Sequence, residues 1–176
     1  MHNKSFQAGK LTAGHRFAII ANDNFPLKTA LCFTRVMMNY ANIAIDFWEL
    51  RNAENSHSLN PESFWIPELD KRNNLKVGDA AKLIFDIESE DTDTGEIVIT
   101  GERIYVIISK VIGNQYIGIL DSQPVSIEPD SDFYLVFGAE ILFGAEHVID
   151  IDRPPEDYIQ WQLGQKPEKR WSKQEI

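Results

Sequence analysis

The chain has 176 residues, 43% of them apolar, enough for one ordinary globular domain with a buried core. Lys and Arg number 17 against 27 Asp and Glu, a formal net charge of −10, which argues against a nucleic-acid binder or a docker on anionic membranes. Cys32 is the only cysteine, so the chain holds no internal disulfide and no multi-cysteine zinc site.

Residues 1–15 are polar and read as a loose arm, without the apolar stretch of a secretory signal. Residues 17–21 form a short apolar run that suits a buried strand. Asn22, Asp23 and Asn24 supply capping chemistry, and Pro26 fits a first helical turn. A helix over 27–40 follows, with Cys32 and Met38 as core filler and Asn42 near its end. Ile43, Ile45 and Phe47 alternate with Ala44, Asp46 and Trp48, the period of a strand. Residues 52–61 read as a polar loop closed by Pro61. Phe64, Trp65 and Ile66 lie between Pro61 and Pro67, and Trp48 and Trp65 are expected in or near the core.

From residue 75 the pattern becomes strand-like. A turn over 75–79 feeds a strand over 80–88, and 90–96 form an acidic hairpin loop. A long strand over 103–111 meets a Gly113-Asn114 turn, where both residues tolerate positive φ, and returns as 116–120. Short strands are expected at 125–127, 134–137, 140–143 and 147–151. Pro154 and Pro155 stop the last, leaving a polar tail over 156–176 with room for one short helix. Trp161 and Trp171 in that tail need cover from the domain itself or from a partner. The expected architecture is one α+β domain over 1–176, a small antiparallel barrel or roll-like sheet preceded by a strand-helix-strand segment. Its parts are the arm, a segment over 16–74, an acidic β-rich part over 75–152 and the tail over 153–176.

Charge is segregated. Residues 83–152 hold only Arg103 and Lys110 as bases against 15 acids, while the two flanks are nearly balanced. Such a stretch focuses a negative potential that either solubilises the chain or steers a basic partner.

No catalytic motif stands out. Asp91, Asp93 and Glu102 fit positions 1, 3 and 12 of a calcium loop, but Gly95 is one place early and the flanks are strands, so a solvated hairpin tip is the better reading. His147 has no zinc-ligand spacing to other histidines. No nucleophile elbow or phosphate loop occurs, and neither a metal nor a cofactor is expected.

The pieces FWIP at 64–67, LKVGDAAKLIF at 75–85, the run over 101–125 and FGAEHVIDI at 143–151 resemble an uncharacterised bacterial family of YegJ-like domains. That family carries Trp after Met or Ile where this chain has Ile104-Tyr105, and Asn ahead of the proline matching Pro124. The resemblance covers about half of the chain over 64–151. It implies a compact β-rich domain, no established catalytic residue, and a bacterial cytoplasmic setting in which some members neighbour immunity-type modules.

The expected function is therefore a non-enzymatic acidic binding protein of the immunity or antitoxin kind, occluding a basic protein partner. The expected contacts are Glu90, Asp91, Asp93, Asp130, Asp132 and Trp161. The rivals are a small hydrolase or transferase using carboxylates with His147, and a structural or oligomerisation module.

Overall fold

A computed structural model describes residues 38–91, 93–128 and 131–172. The chain divides into two units, Met1–Phe33 and Thr34–Ile176, and every described residue belongs to the second. The expected arm, the 17–21 strand, Cys32 and most of the 27–40 helix lie outside the described residues, as does Asp130.

Short helices come first: α1 (Ile43–Asp46), α2 (Ala53–Leu59) and α3 (Leu69–Asn73), with strand β1 (Trp48–Leu50) after α1. Strands β2 (Ala80–Glu90), β3 (Ile97–Ile112), β4 (Gln115–Leu120) and β5 (Glu140–Gly144) follow, then β6 (Asp150–Asp152) and helix α4 (Glu156–Gly164). The sheet runs β1-β2-β3-β4-β5 with every pair antiparallel, and β6 joins β2 beside β1. It curls into a half-barrel of the α+β class, as the alternating pattern after residue 75 implied.

The inner face gathers Leu83, Phe85 and Ile87 of β2 with Ile104, Val106 and Ile108 of β3. Trp48, Leu135 and Trp171 close over it, with the Trp48 ring 5.9 Å from Trp171 and 6.0 Å from Tyr134. Each such side chain contributes roughly 1.5–3 kcal/mol by leaving water. Buried Glu140 accepts from Lys110 Nζ at 3.0 Å and from the Trp171 N–H at 2.9 Å, so the tail is fastened to β5 and Trp171 packs on its own unit.

Two glycines explain the closeness of β3 and β4. Gly113 has φ +62° in the turn between them, the conformation the sequence required there. A Cβ at Gly118 would sit 2.7 Å from Val106 Cβ, so only glycine lets the strands approach.

Several local expectations are overturned. The alternating segment 43–48 is not a strand: the Asn42 side chain accepts from the Ala44 N–H, capping α1, and Phe47 turns left-handed at φ 62° before β1 begins. Asn42 thus starts a helix rather than ending one, and residues 38–42 are not helical. The loop expected at 52–61 contains α2, because Asn52 caps the Asn55 N–H. Trp65 is not a core residue but is 69% exposed. Neither 125–127 nor 134–137 is a strand. The Glu102 carboxylate takes the N–H groups of Val125 and Ser126, both at 2.8 Å, and so replaces a ladder there. The expected 147–151 strand is a 3-10 turn at Ala145–His147 followed by the shorter β6.

Candidate functional site

The acidic hairpin is a two-stranded ribbon. The register pairs Glu90 with Ile97 and Glu88 with Ile99, so these four side chains share one face. Ile97 and Ile99 are 63% and 62% exposed, leaving an apolar strip directly opposite two carboxylates. The pairing of β3 with β4 starts only at Val106, and among the described residues no strand covers the outer edge of β3 over 97–101. An uncovered edge offers backbone N–H and C=O groups to an incoming extended chain.

At the tip, Asp91 Oδ1 accepts from the N–H groups of Asp93 and Thr94, each at 2.9 Å. Those bonds, Thr94 first, hold the Asp91 carboxyl below its ordinary pKa. Asp91 therefore shapes the turn, while Glu90 and Asp93 are exposed beside it. No group of three His, Cys, Asp or Glu side chains among the described residues is placed to hold a metal.

The remaining expected contacts are elsewhere. Asp132 is exposed on the connection between β4 and β5. Trp161 lies on α4, half exposed, with its ring 5.6 Å from that of Tyr158. It shares a hollow with Ile119, whose register partner Ile107 pairs with Ala80 at the far end of β2 from Glu90. Ten residues of strand, roughly 33 Å, separate that end from the tip. The fold unites Glu90, Asp91 and Asp93, and leaves Trp161 at the opposite end.

His147 is buried, and its Nδ1 accepts from the Gly144 N–H at 3.0 Å. Burial pushes its pKa down, against the raising effect of the nearby carboxylates of Glu146 and Glu54. Its ring meets Tyr40 edge-on at 4.8 Å, and it lines neither the hollow beside Trp161 nor the two around Trp65.

A second site gathers chemistry that the sequence left scattered. Two hollows, about 760 Å³ and about 310 Å³, share Trp65 and Asp150 in their walls. Lys71, Lys76 and Arg153 line the larger, and Lys82 and Arg103 the smaller. Both carboxylates nearby are engaged. Asp79 takes Arg153 Nη1 and the Lys76 N–H, each at 2.8 Å, and Asp150 takes the Tyr105 hydroxyl at 2.9 Å. Burial, then the Asp150 bond, pushes the Tyr105 pKa up to about 12. Lys82 Nζ rests 4.6 Å from the Tyr105 ring centre. Among the described residues Lys71, Lys76 and Arg103 take part in no ion pair.

The loop presenting Trp65 is pinned on both sides. The Phe64 carbonyl accepts from His57 Nδ1 at 2.6 Å, and the Pro67 carbonyl from Arg72 Nε at 2.7 Å. Arg72 is itself buried and reaches the Ala145 carbonyl at 2.6 Å and Glu54 at 2.8 Å. Sequence reasoning missed this site because it treated Trp65 as a core anchor. The prolines at 61 and 67 were the available signal, since a short proline-bounded loop holds its central side chain away from regular packing.

No family model matches the chain, and no curated protein and no solved structure matches it. No helix among the described residues is long and apolar enough to cross a membrane.

Proposed function

We propose that the protein is a non-enzymatic binding protein that docks a basic protein partner on its acidic ribbon. The observation that carries this reading is the edge of β3 over 97–101, which no strand among the described residues covers, with exposed Ile97 and Ile99 opposite Glu90 and Glu88. An extended segment alternating basic and apolar residues would add to that edge as a further strand. Its backbone would pair with β3, its apolar side chains would cover the isoleucines, and its cations would meet the glutamates. The charge excess of residues 83–152 favours rapid encounter with such a segment. The proposal extends to a cytoplasmic antitoxin-like role, in which the partner is a basic effector.

A peptide of alternating Lys and Val tests the reading. Titrated into the isotope-labelled protein, it should shift and protect the amides over 97–101. Glu88→Lys with Glu90→Lys should abolish that response while the remaining spectrum stays native. Amides over 97–101 that ignore the peptide would remove the ribbon as the docking edge.

A further inference from the structure

We infer that the paired hollows around Trp65 form a second recognition groove, for an extended acidic protein segment that carries an aromatic residue between its carboxylates. This site is independent of the ribbon edge and has the opposite charge preference.

Three observations converge on it. First, the cations are distributed rather than focused. Lys71 and Lys76 stand in one hollow, Lys82 and Arg103 in the other, with the indole of Trp65 in the wall common to both. A single phosphate calls for donors converging on one point. Charges spread on either side of an aromatic suit a chain with carboxylates on either side of an apolar residue.

Second, the cations are available. Asp79 is held by Arg153 and the Lys76 N–H, and Asp150 by the Tyr105 hydroxyl and the Ile151 N–H. Arg153 neutralises Asp79, while Asp150 keeps its negative charge between the hollows; Lys71, Lys76, Lys82 and Arg103 outnumber it, so the walls stay net positive. Arg103 is one of only two bases among residues 83–152, and the register turns it to the same face as Lys82.

Third, the loop that carries the aromatic is pre-organised. An exposed Trp on a slack loop would lose much freedom on binding. Here His57 and the buried Arg72 hold the carbonyls of Phe64 and Pro67, so the backbone that presents Trp65 needs little ordering on binding. An exposed Trp on a fixed loop, flanked by Arg, is the composition of an interface anchor.

The test is a fluorescein-labelled peptide with the core Glu-Asp-Phe-Asp-Glu, followed by anisotropy with the full chain. Binding should weaken about tenfold or more in each of Trp65→Ala, Arg103→Glu and Lys71→Glu, the scale of a lost anchor. Replacing the peptide's Phe by Ala should weaken binding to the wild type and change little in Trp65→Ala. Trp65, Lys71 and Arg103 are all exposed, and near-ultraviolet circular dichroism checks that each variant stays folded. Absence of binding by the folded wild type overturns the inference, as does undiminished affinity in both charge reversals. ATP that binds and displaces the peptide at lower concentration overturns it in favour of a nucleotide site. Self-association in sedimentation that Arg103→Glu abolishes and the peptide merely competes with would assign the groove to a second copy, and would overturn it also.

Discussion

Along one face of the β2–β3 ribbon the charge changes sign within six residues of β2, from Glu88 to Lys82. At the tip, exposed Glu90 and half-buried Glu88 stand across from exposed Ile97 and Ile99, and Asp91 is held by bonds to its own turn. In the middle, Tyr105, Asp150 and Lys82 hold one another, and Trp65 stands beside them on a loop tied down by His57 and Arg72. The tip is thus a surface that costs the fold almost nothing to alter, whereas the groove is built on buried polar contacts. A recognition surface of the first kind adapts to its partner; one of the second kind selects.

The sharpest way to break this contrast is Arg72→Ala. One guanidinium serves the carbonyls of Pro67 and Ala145 as well as Glu54; Ala145 keeps the Val148 N–H, so removal strands the buried Pro67 acceptor and leaves Glu54 without its cation. The expected loss is about 3 kcal/mol, read from the urea midpoint, since an orphaned buried acceptor costs roughly 1–3 kcal/mol. A shift no larger than that of a surface mutant would mean that the groove is not anchored through Arg72.

Next in size is Gly113→Val, which places a β-branched residue at φ +62° at the end of β3 remote from the tip. Its expected cost is about 2 kcal/mol by the strain of such a conformation. An unchanged melting temperature would show that the β3–β4 turn relaxes away from its native form.

The body of the domain, away from the tip, also has an acid signature. His147 has a folded pKa below its unfolded value of about 6.5, so folding prefers the neutral ring. Its contribution is fully present above that pH and is lost as the pH falls toward the folded pKa. Glu102 follows the same sign lower down. Burial raises its pKa, but the bonds from Ser126 and Val125 outweigh burial and hold it below 4.5. Its contribution is present above that value and fades as the pH drops through the folded pKa. Stability measured against pH should therefore start to decline near pH 6.5, and His147→Asn, which keeps an acceptor for the Gly144 N–H, should flatten that first step. A variant curve parallel to the wild type would assign the step to other groups.

How much of this was legible in the sequence follows from which interactions are local. The strands expected over 80–88, 103–111 and 116–120 and the Gly113 turn were readable because β-branched runs and turn residues carry their own signal, whereas the 97–102 part of β3, broken by Gly101 and Glu102, went unassigned. Asn42 was misread because an Asn serves either end of a helix and only the bond it makes decides which, and Asn52 because the polar run it opens lacks the apolar periodicity that marks a helix. The groove was illegible for another reason. Trp65, Lys82, Arg103 and Asp150 are brought together by the pairing of β6 with β2 and of β2 with β3, and nothing in the linear order links them. Trp161 was placed with the acids by composition alone, and the register moved it to the far end.

The smallest effect on stability, and the most direct probe of the tip, is the pair Glu90→Lys and Asp93→Lys. Both side chains are exposed, so each should shift the unfolding free energy by no more than about 0.5 kcal/mol. Asp91 is left in place because its bonds to Asp93 and Thr94 make the turn. The consequence should appear in kinetics instead. With a basic partner obtained by co-purification, the association rate should fall and lose most of its dependence on salt, since steering is screened over roughly 8 Å at physiological ionic strength. Dissociation should change less, because the isoleucines and the backbone edge, not the rim charges, retain the partner. The same pair should leave binding of an acidic peptide at Trp65 untouched, as some six residues of strand, roughly 20 Å, lie between Glu90 and the level of Arg103. A double reversal that slows both ligands equally would show that the two ends of the ribbon share one electrostatic field, and the division between an adaptable tip and a selective groove would have to be given up.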